Sequence, residues 1–328
     1  MITYFMKSQG HLVQGNLVFI GIMAAFILTC FMTSKFAEYL PKDLGRDYAF
    51  DGKKSAGKPR GAGLIFVLVF CVVSLLFGEI NIENGLYLLL VAAAMLTGFL
   101  DDASKAPWGE YKKGLLDLLL SAGVAATYLV FNPSTVNFAF FDLTISIPPV
   151  AFALLAMVLV WGSINVTNCS DGVDGLSGTL TIITIMTLYI VDIVRKNDTS
   201  FSYFILLFAV CILGYLWFNA TPSKLLMGDA GSRAMGLFIA VAALKTGSPL
   251  LFIPAALVLI MDGGLGLLKV FLLRFLKIRI LKNIRTPLHD QARKVAGWSN
   301  TQTVFRFAII QLVISIAVIY MVLNGVKL

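Results

Sequence analysis

The chain has 328 residues, 58% of them hydrophobic and only 13% charged, with a mean hydropathy of +0.86. A soluble domain carries roughly 25% charged residues, so this composition excludes an ordinary water-soluble fold. The net charge of +8 needs no nucleic acid to explain it, because the basic residues gather at the ends of apolar runs.

Ten such runs approach the ~20 residues that cross a bilayer. In chain order they are 17–40, 61–78, 85–100, 114–131, 147–167, 175–194, 202–218, 231–246, 249–273 and 303–325. The expected fold is an all-α polytopic membrane protein of about ten transmembrane helices. A transmembrane barrel is excluded because the segments are too long and do not alternate. The first run follows Lys7, is too long for a signal peptide's apolar region and has no small-residue cleavage site after it, so it reads as a retained helix. The longest stretches between runs are 41–60 and 274–302, which leaves one integral membrane domain over 1–328 and no soluble one. Cys30, Cys71, Cys169 and Cys211 show no paired spacing, hence neither a disulfide framework nor a zinc site.

Ten spans put both termini on one side. Lys7, Arg195, Lys196, Lys245 and Lys327 fall on that side, and the other 21 of the 26 Lys and Arg face the opposite one. Basic residues are retained on the cytoplasmic side, so both termini are expected outside.

The unusual polar residues then share the cytoplasmic face. "GFLDDASK" (98–105) leaves the third run there, and "NCSDGVDGLSG" (168–178) joins the fifth to the sixth. "NATPSKLLMGDAGSRAMG" (219–236) joins the seventh to the eighth, and "RTPLHDQARKVAGW" (285–298) joins the ninth to the tenth. Asp101, Asp102, Asp171, Asp174 and Asp229 would repel one another unless a cation joined them, and Mg²⁺ takes one or two carboxylates plus substrate phosphates. Gly172, Gly175, Gly228 and Gly231 let backbone approach a ligand closely. Two of the Asp-Gly segments run into helix starts, which favour anions. Lys53, Lys54, Lys58, Lys112 and Lys113 border this face. The pattern points to a metal-bound diphosphate at the inner membrane surface.

Plainer readings stand beside it. Asp229 and Ser232 would also serve as helix caps, Asp101 and Asp102 as a solvated helix end, and the lysines as topology signals. His11 reads as an outer surface residue, while His289 is the only histidine on the polar face. Asp117 and Asp262 lie inside apolar runs, where a charge is costly and therefore a functional hypothesis.

"FLDD", "NCSDGVDGL" and "MGDAGS", in this order on cytoplasmic loops, resemble the polyprenyl-phosphate N-acetylhexosamine-1-phosphate transferases over nearly the whole chain. "PLHDQARKVAGWSNTQTVFRF" (287–307) resembles the phospho-N-acetylmuramoyl-pentapeptide branch of that family. Three departures stand out. His289-Asp290-Gln291 replaces a run of two or three histidines. "KPRGAG" replaces "TPTMGG", keeping only Pro59 and Gly63. Leu226 stands where relatives stack a phenylalanine on uracil.

The resemblance implies Mg²⁺-dependent transfer of phospho-MurNAc-pentapeptide from its UDP nucleotide to undecaprenyl phosphate, releasing UMP, at a bacterial cytoplasmic membrane. It implies Asp229 and Asp171 as metal carboxylates, and Asp101, Asp102 and His289 at the reacting phosphates. Asn168, Gly172, Val173, Asp174, Asn219 and Leu226 would bind the nucleotide, Lys53, Lys112 and Lys113 would offset phosphate charge, and Asp262 would support the substrate site. A UDP-N-acetylglucosamine 1-phosphate transferase is the alternative within the family, and an ion-coupled transporter the alternative outside it. A homodimer is compatible with the sequence, which leaves the oligomeric state open.

Overall fold

The computed structural model describes residues 14–45, 55–141, 143–195 and 201–325. It is a helical bundle. In chain order the helices are α1 (Gln14–Phe36), α2 (Gly63–Phe77), α3 (Ile82–Asp102), α4 (Glu110–Phe131), α5 (Pro149–Cys169), α6 (Leu176–Val194), α7 (Ser202–Asn219) and α8 (Gly228–Lys245). After a broken segment come α9 (Leu265–Phe275), the short α10 (Leu288–Lys294) and α11 (Asn300–Asn324). Among the described residues seven helices are long and apolar enough to cross a membrane, or eight if the broken segment counts as one span. Each of the ten apolar runs has helix at its position. α2 has only 15 residues, and α8 carries Asp229, Arg233 and Lys245, so neither joins the seven.

α8 is the axis of the bundle. Its residues from Gly228 to Leu244 are all buried, and it packs on α2, α3, α5 and α6. Between helices in an apolar medium, small residues drive association by letting backbones approach. A Cβ on Gly98 of α3 would sit 2.3 Å from Asp229 O, so the glycine lets the end of α3 lie against the start of α8. Outward-facing apolar side chains such as Phe19, Phe31, Phe305 and Ile316 on α1 and α11 remain exposed, as a lipid-facing surface requires.

The ninth run is not one straight helix. Pro249–Ala255 and Leu257–Phe275 meet at a 70° bend, with Ala256 outside helical geometry. Pro254 cannot donate a backbone hydrogen bond, and the groups freed at the break are met by buried Gln311 of α11. Its Oε1 accepts from Val258 N at 2.9 Å and its Nε2 donates to Pro254 O at 3.1 Å. A π-helical turn follows at Ile260–Gly264 and puts Asp262 at the bundle's polar end.

The connection 132–148 also differs from a plain loop. Thr135–Phe138 (β1) pairs antiparallel with Leu143–Ser146 (β2), Thr135 opposite Ser146. Asn137 N donates to Gly247 O at 2.9 Å, which fixes the hairpin at the C-terminal end of α8. That end lies ~24 Å along the helix from Asp229. Here Lys245 meets Glu83 at 2.9 Å and 3.0 Å and Asn132 Oδ1 at 3.2 Å.

Candidate active site

The four polar segments converge around the N-terminal turn of α8. Lys113 on α4 joins two of them, pairing with Asp101 Oδ2 and with Asp229 Oδ2, the latter at 3.0 Å. Arg60 spans three carboxylates: Asp43 at 3.2 Å, Asp102 at 2.8 Å and Asp229 at 3.4 Å. Asp102 Oδ2 accepts from Ala230 N at 3.0 Å, and Asp101 Oδ1 from Trp108 N at 2.7 Å. Asn168 donates to Ser232 Oγ at 2.8 Å, which brings the 168–178 segment onto the same turn.

A second group of contacts continues from there. Asn219 Oδ1 accepts from Gly175 N at 2.8 Å and its Nδ2 donates to Leu225 O at 2.8 Å. Asp174 Oδ2 accepts from Ser223 N at 3.2 Å, and Lys58 Nζ donates to Ser223 Oγ at 3.0 Å. Leu226 is half-buried, its N–H on Pro59 O at 2.8 Å. Val173 is buried. His289 seats its ring over Gly172, where a Cβ would lie 2.3 Å from Nε2. Behind that ring, fully buried Asp262 accepts from His289 N and faces Nδ1. Arg293 Nη2 closes the circuit by donating to Gly172 O at 3.1 Å.

Several sequence expectations change. At the start of α8, read as an anion site, the Ala230 N–H meets the Asp102 carboxylate. Gly172 and Gly228 make room for the side chains of His289 and Asp102. Of the two adjacent lysines on α4, Lys113 enters the cluster and Lys112 does not. Lys112 is exposed and holds its ammonium 3.2 Å from the centre of the Trp108 ring, because successive helical residues point about 100° apart. Asp117 pairs with buried Arg233 and lies 3.4 Å from Asn165 Nδ2, which accounts for its charge inside the bundle. Asp171 is half-buried, with its N–H on Asn168 O at 3.2 Å. Lys53, Lys54 and His11 lie outside the described residues.

Sequence reasoning missed Arg60, Asp43, Arg233 and Arg293. Arg233 had a signal, a charge inside an apolar run four residues after Asp229. Arg60 sits in one of the segments that depart from the family pattern, and nothing local marks its reach to three distant carboxylates. Asp290 and Gln291, which replace the family's later histidines, have structural partners. Asp290 binds Arg293 and Lys294 at 2.8 Å and 2.9 Å, and Gln291 Oε1 accepts from Arg285 N at 2.8 Å.

The cluster suits a hard divalent cation in its chemistry, since its donors are carboxylate oxygens. Asp43, Asp101, Asp102 and Asp229 are joined by ion pairs to two cations, Arg60 and Lys113. Two negative charges are left over, the charge that one Mg²⁺ would balance. Among the described residues no three histidine, cysteine or carboxylate groups form a ready cage. Mg²⁺ held by one or two carboxylates plus substrate phosphates needs none.

The bundle carries a carboxylate and lysine cluster at one end, and the chain belongs to the membrane transferases of glycosyl transferase family 4, whose profile matches residues 84–247. It is 39% identical to the phospho-N-acetylmuramoyl-pentapeptide-transferase of Treponema pallidum (strain Nichols) over 329 residues, covering 94% of this chain and 91% of the relative. The enzyme of that name from Thermotoga neapolitana is 29% identical over 297 residues, 89% and 92% of the two chains. The one from Bacillus thuringiensis (strain Al Hakam) is 28% identical over 329 residues, 94% and 98%.

Proposed function

We propose that the chain transfers phospho-MurNAc-pentapeptide from UDP-MurNAc-pentapeptide to undecaprenyl phosphate, giving the lipid-linked sugar and UMP in peptidoglycan synthesis. The observation that carries this is the 39% identity over 94% of the chain to a relative of that name. The convergence of Asp101, Asp102, Asn168 and Asp229 on one helix turn supports it. We place this end of the bundle at the cytosolic face of a bacterial cytoplasmic membrane, with ten spans in one domain and both termini outside, on the strength of the basic-residue bias.

In this reading a lipid-phosphate oxygen attacks the β-phosphorus of the UDP-sugar. The bond from that phosphorus to the oxygen bridging the two phosphates breaks, and UMP leaves with that oxygen and its electron pair. A phosphate monoester has its second pKa near ~6, so the attacking oxygen is largely ionised at neutral pH and needs little base. Both oxygens of Asp101 are engaged by Lys113 and the Trp108 N–H, which makes it a poor nucleophile. That favours direct attack over a covalent phospho-sugar enzyme, with Asp101 orienting the lipid phosphate through Lys113. Asp229 is the carboxylate we assign to Mg²⁺, with Asp171 second, and the ion would stabilise charge on the diphosphate. Asn168, Gly172, Val173, Asp174, Asn219 and Leu226 form the wall we assign to the nucleotide. His289 presents Nε2 toward it, and positioning supplies most of the rate.

The test is direct. Purified protein is given Mg²⁺, undecaprenyl phosphate and either UDP-MurNAc-pentapeptide or UDP-N-acetylglucosamine, and UMP is followed. Release with the first sugar alone is the expected result. Release only with the second would reassign the enzyme to the N-acetylglucosamine branch, and release with neither would overturn the proposal.

A further inference from the structure

We infer that Arg60 is a positioning residue that braces the carboxylate cluster and limits it to a single, moderately bound divalent cation. The inference rests on the assignment of Asp229 to Mg²⁺.

The backbone around Arg60 is fixed on both sides. Arg60 N donates to Pro41 O at 2.8 Å, Leu226 N to Pro59 O at 2.8 Å and Ala62 N to Leu226 O at 3.1 Å. From this anchored point one guanidinium reaches carboxylates on three separate segments: Asp43, Asp102 at the end of α3, and Asp229 in the first turn of α8. An arginine suits this task because its planar fork offers five donors and its charge is permanent. Nε takes Asp102, Nη1 takes Asp43 and Nη2 takes Asp229. The opposite oxygens are held too, Asp102 Oδ2 by Ala230 N and Asp229 Oδ2 by Lys113. The two carboxylates are therefore clamped from both sides, and Arg60 is the group they share.

The charge balance gives the second half. With Arg60 present, two cations face four carboxylates. Without it Lys113 alone faces them, and the local charge becomes more negative by one. Loss of the guanidinium should then act in opposite directions on two quantities. Cations are drawn in harder, while Asp102 and Asp229 lose their common brace. A residue needed only for folding would move both quantities down together.

The experiment uses the full chain in detergent with Mn²⁺ as the probe. Binding is read by the electron paramagnetic resonance signal of free Mn²⁺, beside steady-state kinetics and thermal melting. Arg60→Gln should bind Mn²⁺ at least ~10-fold tighter and lose at least ~10-fold in kcat, with the nucleotide-sugar KM within ~3-fold of wild type. Arg60→Lys keeps the charge but cannot span three carboxylates, so its Mn²⁺ affinity stays within ~3-fold while kcat remains depressed. Unchanged or weaker Mn²⁺ binding by a folded Arg60→Gln chain overturns the inference, as does full turnover in Arg60→Lys. Equal Mn²⁺ binding by wild type and Asp229→Asn would instead remove the assignment of Asp229 itself, and the inference with it.

Discussion

Asp262 grips His289 at two points: it accepts the backbone N–H at 2.7 Å and faces ring Nδ1 at 2.9 Å and 3.1 Å. A carboxylate at Nδ1 fixes both ring orientation and tautomer, so Nε2 is the nitrogen left facing Gly172. The break in the Pro249–Phe275 segment and its π-helical turn place Asp262 there. His289→Ala should lower kcat by ~10²–10⁴-fold, and Asp262→Asn should lower it in the same direction with KM little changed. Wild-type kcat in Asp262→Asn would show that orientation of the ring is not used.

Gly172 is the other wall of that histidine. With its Cβ placed 2.3 Å from Nε2, Gly172→Ala must push the ring or the loop aside. Turnover should fall by at least ~10-fold while the melting temperature stays close to wild type, since the shift is local. Activity equal to wild type would place the ring elsewhere during turnover.

Lys112 and Lys113 are adjacent in sequence and should behave differently. Lys113→Met removes the cation shared by Asp101 and Asp229, and kcat should drop by at least ~100-fold. Lys112→Ala removes an exposed ammonium resting on Trp108, and activity should stay within ~10-fold of wild type. The reverse order would contradict the arrangement of α4 described above.

At the far end of α8, Lys245→Met takes the cation from the largely buried Glu83, which keeps a hydrogen bond from Asn132 Nδ2 at 2.6 Å. Removing one partner of a buried pair typically costs about 3–5 kcal/mol, so thermal stability should fall sharply. The double variant Lys245→Met/Glu83→Gln should recover much of it. No recovery would mean that the lysine acts through other contacts.

The α10 segment carries a pH signature. Burial pushes the Asp290 carboxyl up, but the Lys294 bond and the charges of Lys294 and Arg293 hold it below the ordinary aspartate range. A depressed carboxyl stabilises above its unfolded pKa of ~3.9 and loses that contribution as pH falls through the lower folded value. Asp290→Asn should therefore lower the melting temperature at neutral pH, and the gap to wild type should close on acidification below ~4. A gap constant across that range would rule out this linkage.

Composition and apolar run length alone determined that this is a helical membrane protein, because no soluble core can hold so many uninterrupted apolar residues. Motif order alone pointed to the family, since "FLDD", "NCSDGVDGL" and "MGDAGS" keep their chemistry wherever the helices turn. The sequence also placed Asp101, Asn168, Asp229 and His289 on one face through the alternation of loops. It did not show which of two adjacent lysines enters the cluster, because that depends on which side of α4 faces α8. Nor did it show the hairpin at 135–146 or the bend at Ala256, where a glutamine more than fifty residues away meets the freed backbone groups. Arg60 is the clearest case. Its meaning lies in three carboxylates brought to it by segments 17, 42 and 169 positions away, and only folding sets distances between groups so far apart along the chain.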